Sequence, residues 1–315
     1  MSSTARMLSD GRRLFLQHGP IDLIVEAWGD DDAVEAAYEA VAARFSDLLP
    51  MLAIELPVLK IPLGKTRPAV DGPVAQRMVA ACWPHRAVFI TPMAAVAGSV
   101  ADEMRDTLVA AGTLQRAYVN NGGDISFHLA RGERLTAGMV ADLGRPAVLG
   151  QITIDAAMAV RGLATSGWRG RSFSCGIADA VTVLGRSAAA ADAAATMVAN
   201  AVDVDHPAIV RAPANSVRED SDLGDLLVTT DVGALPRAAV RRALEHGRRE
   251  AERLLGAGLI EGAVLALQGD IVAVSHPSPS WPGSTRPSLR GGVAACGRTR
   301  HDARVKPGHD GSSAA

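Results

Sequence analysis

The chain is short of several residue types, and each shortage removes a class of explanation. Its three cysteines, Cys82, Cys175 and Cys296, are odd in number and far apart. Neither a disulfide framework nor a CxxC metal site can be built from them, which points to a reducing compartment. Aromatics make up 3% of the 315 residues, so a core has to be assembled from Ala, Val, Leu and Ile. Lysine is confined to Lys60, Lys65 and the C-terminal tail. No apolar run approaches the roughly 20 residues that span a bilayer. The opening MSSTARMLSDGRRLFLQHG puts charges where a secretory signal needs an apolar stretch, and it offers no cysteine for a lipid. A formal net charge of −2 lacks the basic excess of nucleic-acid binders. The expectation is a cytoplasmic protein with neither a membrane nor a nucleic acid as partner.

What is present suffices for a full core: 48% of the residues are hydrophobic. Ile21 to Ala27 reads as a strand ended by Gly29, and Asp30, Asp31 and Asp32 then start a helix whose apolar spacing holds until Pro50. Prolines at 50, 57, 62, 68 and 73 imply an extended connection before a helix near Val74 to Cys82. TPMAAVAGSVADEMRDTLVAAG, from Thr91, predicts a helix with one apolar stripe and, at Ala94, Ala95, Ala97 and Gly98, a face nearly free of side chains, suited to close packing against the sheet or to the approach of a flat ligand. Asn121, Gly122 and Gly123 join two short strands in a hairpin, with Asp124 at its mouth. Val264 to Val274 repeats that pattern around Gly269 and Asp270, a hint of two related halves. Leu226 to Thr230 reads as a strand, and Pro236 opens a charged helix.

Polar groups concentrate between Gly162 and Val202, where a Thr165-Ser166-Gly167 turn leads through a glycine- and hydroxyl-rich loop and a short strand into an alanine-rich helix. Asp192 and Thr196, one helical turn apart, lie on one face and can offer two oxygens to a hard cation such as Mg²⁺. The same spacing also fits a solvated edge or a local hydrogen bond.

The string ADAVTVLGRSAAAADAAAT, preceded by TSG and, further upstream, by NNGGD at Asn120 to Asp124, resembles the ApbE-like proteins over about Ile21 to Ser275. Their best-known members are FAD:protein FMN transferases. The resemblance implies an α+β fold of two T-fold-like halves, antiparallel sheets backed by helices, in one domain over residues 1–276. It implies a flavin site, FAD with Mg²⁺, in which Asp192 and Thr196 hold the metal while Asn121, Gly122, Gly123, Asp124, Thr165, Ser166 and Gly167 line the ligand. It further implies FMN transfer to a protein acceptor, or FAD pyrophosphatase activity.

Transferases of the family usually carry a His-Xaa-Ile-Asp-Pro-like segment after the TSG turn, with a histidine that takes part in the chemistry. Here the loop reads RSFSCGIAD, Arg171 to Asp179, without histidine or proline. With TPMAAVAG, this is closer to an uncharacterised cytoplasmic, UPF-type branch, some of whose members are linked in anaerobes to sulfide assimilation into homocysteine. A non-catalytic, ligand-binding accessory protein is the alternative to an enzyme. His128, on the strand after Asp124, is the one histidine near the proposed site. From Pro277 the composition turns to Pro, Gly, Ser and Arg, with six Lys/Arg against two Asp/Glu. Residues 277–315 therefore read as a disordered tail resembling translated repeat sequence.

Overall fold

The computed structural model describes residues 3–140 and 148–276. The expected tail, 277–315, lies outside them. Nine strands form one antiparallel sheet: β1 (Thr4–Met7), β2 (Leu14–His18), β3 (Ile21–Gly29), β4 (Leu114–Asn121), β5 (Asp124–Leu129), β8 (Gly162–Ser166), β9 (Ala180–Gly185), β12 (Gly262–Leu267) and β13 (Asp270–Ser275), adjacent in that order. Two hairpins stand apart, β6 (Arg134–Val140) with β7 (Val148–Asp155), and β10 (Ile209–Pro213) with β11 (Leu227–Val232). The helices are α1 (Asp31–Leu59), α2 (Pro73–Cys82), α3 (Val96–Ala111), α4 (Ala188–Ala201), α5 (Ala214–Val217) and α6 (Arg237–Gly256). The class is thus α+β, as expected.

The doubling is visible in the connectivity. In the first half β2 and β3 lead into α1 and α3 and return as β4 and β5; in the second, β8 and β9 lead into α4 and α6 and return as β12 and β13. The two repeats share a single sheet rather than forming separate ones. One core cluster joins α1 and α3 to the first half, and another joins α4 and α6 to the second. Alternate strand residues face the other way: Phe127, Leu163 and Leu184 pack under the β6–β7 hairpin through Ile152 and Ile154. Helices therefore cover one face of the sheet, and that hairpin covers the middle of the other.

Two local expectations are corrected. The first helix does not stop at Pro50 but runs through Pro50 and Pro57 to Leu59, because Leu52 and Leu59 continue the buried stripe and packing outweighs the lost amide donors. The helix expected from Thr91 begins with a 3₁₀ turn at Pro92–Ala95, and Gly112 ends it in extended conformation, φ −161°. Strands β1, β2, β6 and β7 carry no clear alternation in sequence and were not anticipated from it.

Among the described residues, no helix is long and apolar enough to cross a membrane.

Candidate functional site

The strand registers bring four turns to one end of the sheet: Gly19-Pro20, Gly122-Gly123, the loop from Gly167 to Asp179, and Gln268-Gly269. On the helix-covered face at that end, the predicted residues converge. Asn121 donates from Nδ2 to the Ala97 carbonyl at 3.1 Å, tying the first hairpin to the start of α3. The Gly98 amide at that same helix start donates to Asp192 Oδ2 at 2.9 Å. Asp124 accepts from the Thr165 amide at 3.1 Å, locking hairpin to TSG turn. The hairpin turn is closed by Asn120, whose Oδ1 accepts from the Gly123 amide at 2.8 Å.

Helix α4 explains why Asp192 and Thr196 can serve a ligand. From Ala191 to Asn200 every residue is buried except Asp192, Thr196 and Asn200, which form one polar stripe at successive turns. Asn200 holds the glycine-rich loop: its Oδ1 accepts from the Cys175 amide at 2.9 Å and from Ser174 Oγ at 3.2 Å. The alanines on the rest of the helix allow close approach. A Cβ at Gly98 would collide with the Ala188 carbonyl, and one at Gly162 with the Ala188 amide. Of the small-residue face of TPMAAVAG, Gly98 thus packs on the start of α4 and Ala95 on Ala193 and Met197 further along it, while the Ala97 carbonyl meets Asn121 of the sheet.

Electrostatics set the pair Asp124 and Asp192 apart. Burial pushes Asp124 up to about 7, against the opposing hydrogen bond from Thr165. Burial, and then the neighbouring Asp124 carboxylate, hold Asp192 well above the ordinary range, although the Gly98 and Ala97 amides pull the other way. Neither carboxylate has a salt-bridge partner among the described residues. Two neighbouring, partly buried carboxylates without a counter-charge fit a divalent cation, which would remove their repulsion. Among the described residues no group of three or more His, Cys, Asp or Glu could hold a metal by itself. A cation there would need Thr196, water or ligand oxygens to complete its shell, the habit of Mg²⁺.

Not every predicted residue enters by its side chain. Thr165 points to the opposite face, with Oγ1 2.9 Å from Thr182 Oγ1, and contributes its amide alone. Ser166 shares the helix-covered face with Ala164. Gly167 is where the turn passes against the Ala178 and Asp179 carbonyls, leaving no room for a Cβ. His128 is four residues along β5 from Asp124, with Nε2 3.2 Å from the Leu114 carbonyl, at the other end of the sheet. Sequence reasoning missed Asp102, whose buried carboxylate accepts from Ser126 Oγ at 2.6 Å and from the Ala188 and Ala189 amides. In sequence it reads as one half of an ordinary i,i+3 pair with Arg105, which hides its longer-range role.

A family model described as AbpE bacteria matches residues 5–273, nearly all of the described chain. This chain belongs to the ApbE-like family. A UPF0280 protein of Methanopyrus kandleri is 31% identical to this member over 263 residues, 83% of this chain and 87% of that one. A UPF0280 protein of Methanococcoides burtonii is 34% identical over 194 residues, 61% and 78% of the two chains. Among solved structures, the apo flavinyl transferase ApbE of Pseudomonas stutzeri aligns over 87% of this ApbE-like chain and 93% of its own, with 16% identity and a TM-score of 0.42. The flavin transferase ApbE of Vibrio cholerae aligns over 87% and 98%, at 14% identity and a TM-score of 0.36.

Proposed function

We propose that this ApbE-like chain binds a flavin nucleotide, FAD above others, together with Mg²⁺, and cleaves the pyrophosphate or passes FMN to an acceptor. The observation that carries the reading is the uncompensated pair Asp124 and Asp192 at the start of α3. Asp192 and Thr196 would hold the metal, which when bound would neutralise phosphate charge and polarise the phosphoryl group.

The chain's own residues do the positioning. The Gly98 amide fixes the orientation of the Asp192 carboxylate. Asn121 clamps the hairpin against α3, so the ligand wall and the metal pair cannot drift apart. The N-terminus of α4 is not available as a phosphate cradle, since Asp102 and Ser187 already take the amides of Ala188, Ala189 and Ala190. Phosphates would instead meet the loop amides and Ser166.

A second reading, ligand binding without turnover, is favoured by one observation. The loop from Arg171 to Asp179 has no imidazole, and His128 is committed to Leu114 at the far end of β5. Incubation with FAD and Mg²⁺ separates the two. FMN or a flavinylated acceptor supports the enzyme; Mg²⁺-dependent binding with FAD recovered intact supports the accessory; absence of binding removes both.

A further inference from the structure

The glycine-rich loop brings a cation to the mouth of the first hairpin. Arg171 is exposed, and its Nη2 donates to the Pro20 carbonyl at 3.3 Å. Its Nη1 lies 3.0 Å from where a Cβ on Gly122 would sit. The guanidinium thus lies over the Gly122-Gly123 turn, braced on the neighbouring turn. It has no carboxylate partner among the described residues, whereas Arg169 in the same loop pairs with Asp179 at 3.0 Å.

The second hairpin supplies an internal control. Gln268 stands where Gly122 does, in the left-handed region with φ +46° against +65°. The turn itself therefore accepts a side chain at that position, given hydrogen bonds to hold it. At the first hairpin the space above it is taken by Arg171, so a side chain there would press on the guanidinium and displace it.

We infer that Arg171 is the anion clamp of this site, its guanidinium taking the phosphoryl oxygens of the bound nucleotide from the hairpin side. This rests on the proposed flavin-nucleotide reading and extends it to a residue outside the metal pair. A planar fork with free donors matches phosphate oxygens in a bidentate manner, and its exposure leaves those donors open to a ligand.

The test compares wild type, Arg171→Ala and Arg171→Lys by calorimetry with FAD, riboflavin and inorganic pyrophosphate, all in Mg²⁺. Arg171→Ala should weaken FAD and pyrophosphate about tenfold or more while leaving riboflavin affinity unchanged, and Arg171→Lys should fall between. Affinities for FAD and pyrophosphate within about twofold of wild type in Arg171→Ala would overturn the clamp, as would an equal loss for riboflavin. If wild type binds pyrophosphate but no flavin, the flavin reading fails and Arg171 is judged on pyrophosphate alone. Binding of none of the three by wild type overturns both.

Discussion

Asp102, on α3, accepts a hydrogen bond from the backbone amide of Ala189, on α4, at 2.9 Å. Its other oxygen takes the Ala188 amide at 3.0 Å and the hydroxyl of Ser126. A helix of the second half is thus capped by a side chain of the first, and a strand of the sheet is tied to both.

Replacing Asp102 by Ala would strand three buried donors. The expected cost is about 2–4 kcal/mol, read as a lower urea midpoint, with Asp102→Asn losing less because it keeps one acceptor. An Ala variant as stable as wild type would show that the three donors find other partners.

Gly98 joins packing to the site, because its missing side chain admits the start of α4 and its amide orients Asp192. Gly98→Ala should push the helices apart, costing about 1–3 kcal/mol. It should also reduce Mg²⁺-dependent FAD binding more than the stability loss explains. Binding that merely tracks the folded fraction would reduce Gly98 to a packing residue.

The metal pair can be tested with shape kept constant. Asp192→Asn and Thr196→Val should each leave the fold nearly intact and reduce the gain in FAD affinity that Mg²⁺ confers on wild type. Titrations with and without Mg²⁺ check this, and an unchanged Mg²⁺ effect in both variants would remove the site.

The pH dependence of stability follows from Asp124, whose folded form holds its proton up to about 7 against a reference of 3.8. Between those values the folded state binds more protons than the unfolded one. The contribution of Asp124 to stability is therefore full below the lower value and lost as pH rises through 7. Asp124→Asn, measured in EDTA, should be more stable than wild type at pH 8 by roughly 1–2 kcal/mol, allowing for the screening of a partly buried group, and nearly equal to it at pH 4. A difference independent of pH would contradict the assignment.

Much of this was legible in the chain because local chemistry decided it. The Asn121-Gly122-Gly123 turn, the alanine-rich helix with Asp192 and Thr196, the helix near Val74 to Cys82 and the Pro236 helix start all appear where spacing and turn residues put them. Long-range effects were not legible. Pro50 fails to end α1 because Leu52 and Leu59 find partners far away in sequence. The side chain of Thr165 leaves the site because strand pairing turns it to the other face. Asp102 works through Ser126, 24 positions away, and Ala188, 86 positions away, and Arg171 is braced on Pro20, 151 positions away, pairings that no motif records.

The twin hairpin has a last consequence, for stoichiometry. At its turn Gln268 gives its amide to Asp179 Oδ2 at 2.5 Å, accepts from the Leu235 amide at 3.0 Å and donates to the Gly233 carbonyl at 2.7 Å. The backbone amide and the side-chain amide of Gln268 are thus already engaged with the chain, whereas over Gly122 the same position is occupied by a guanidinium. The architecture is duplicated but the proposed receptor is not: a saturating titration should end at one flavin per polypeptide, with the second repeat serving as buttress.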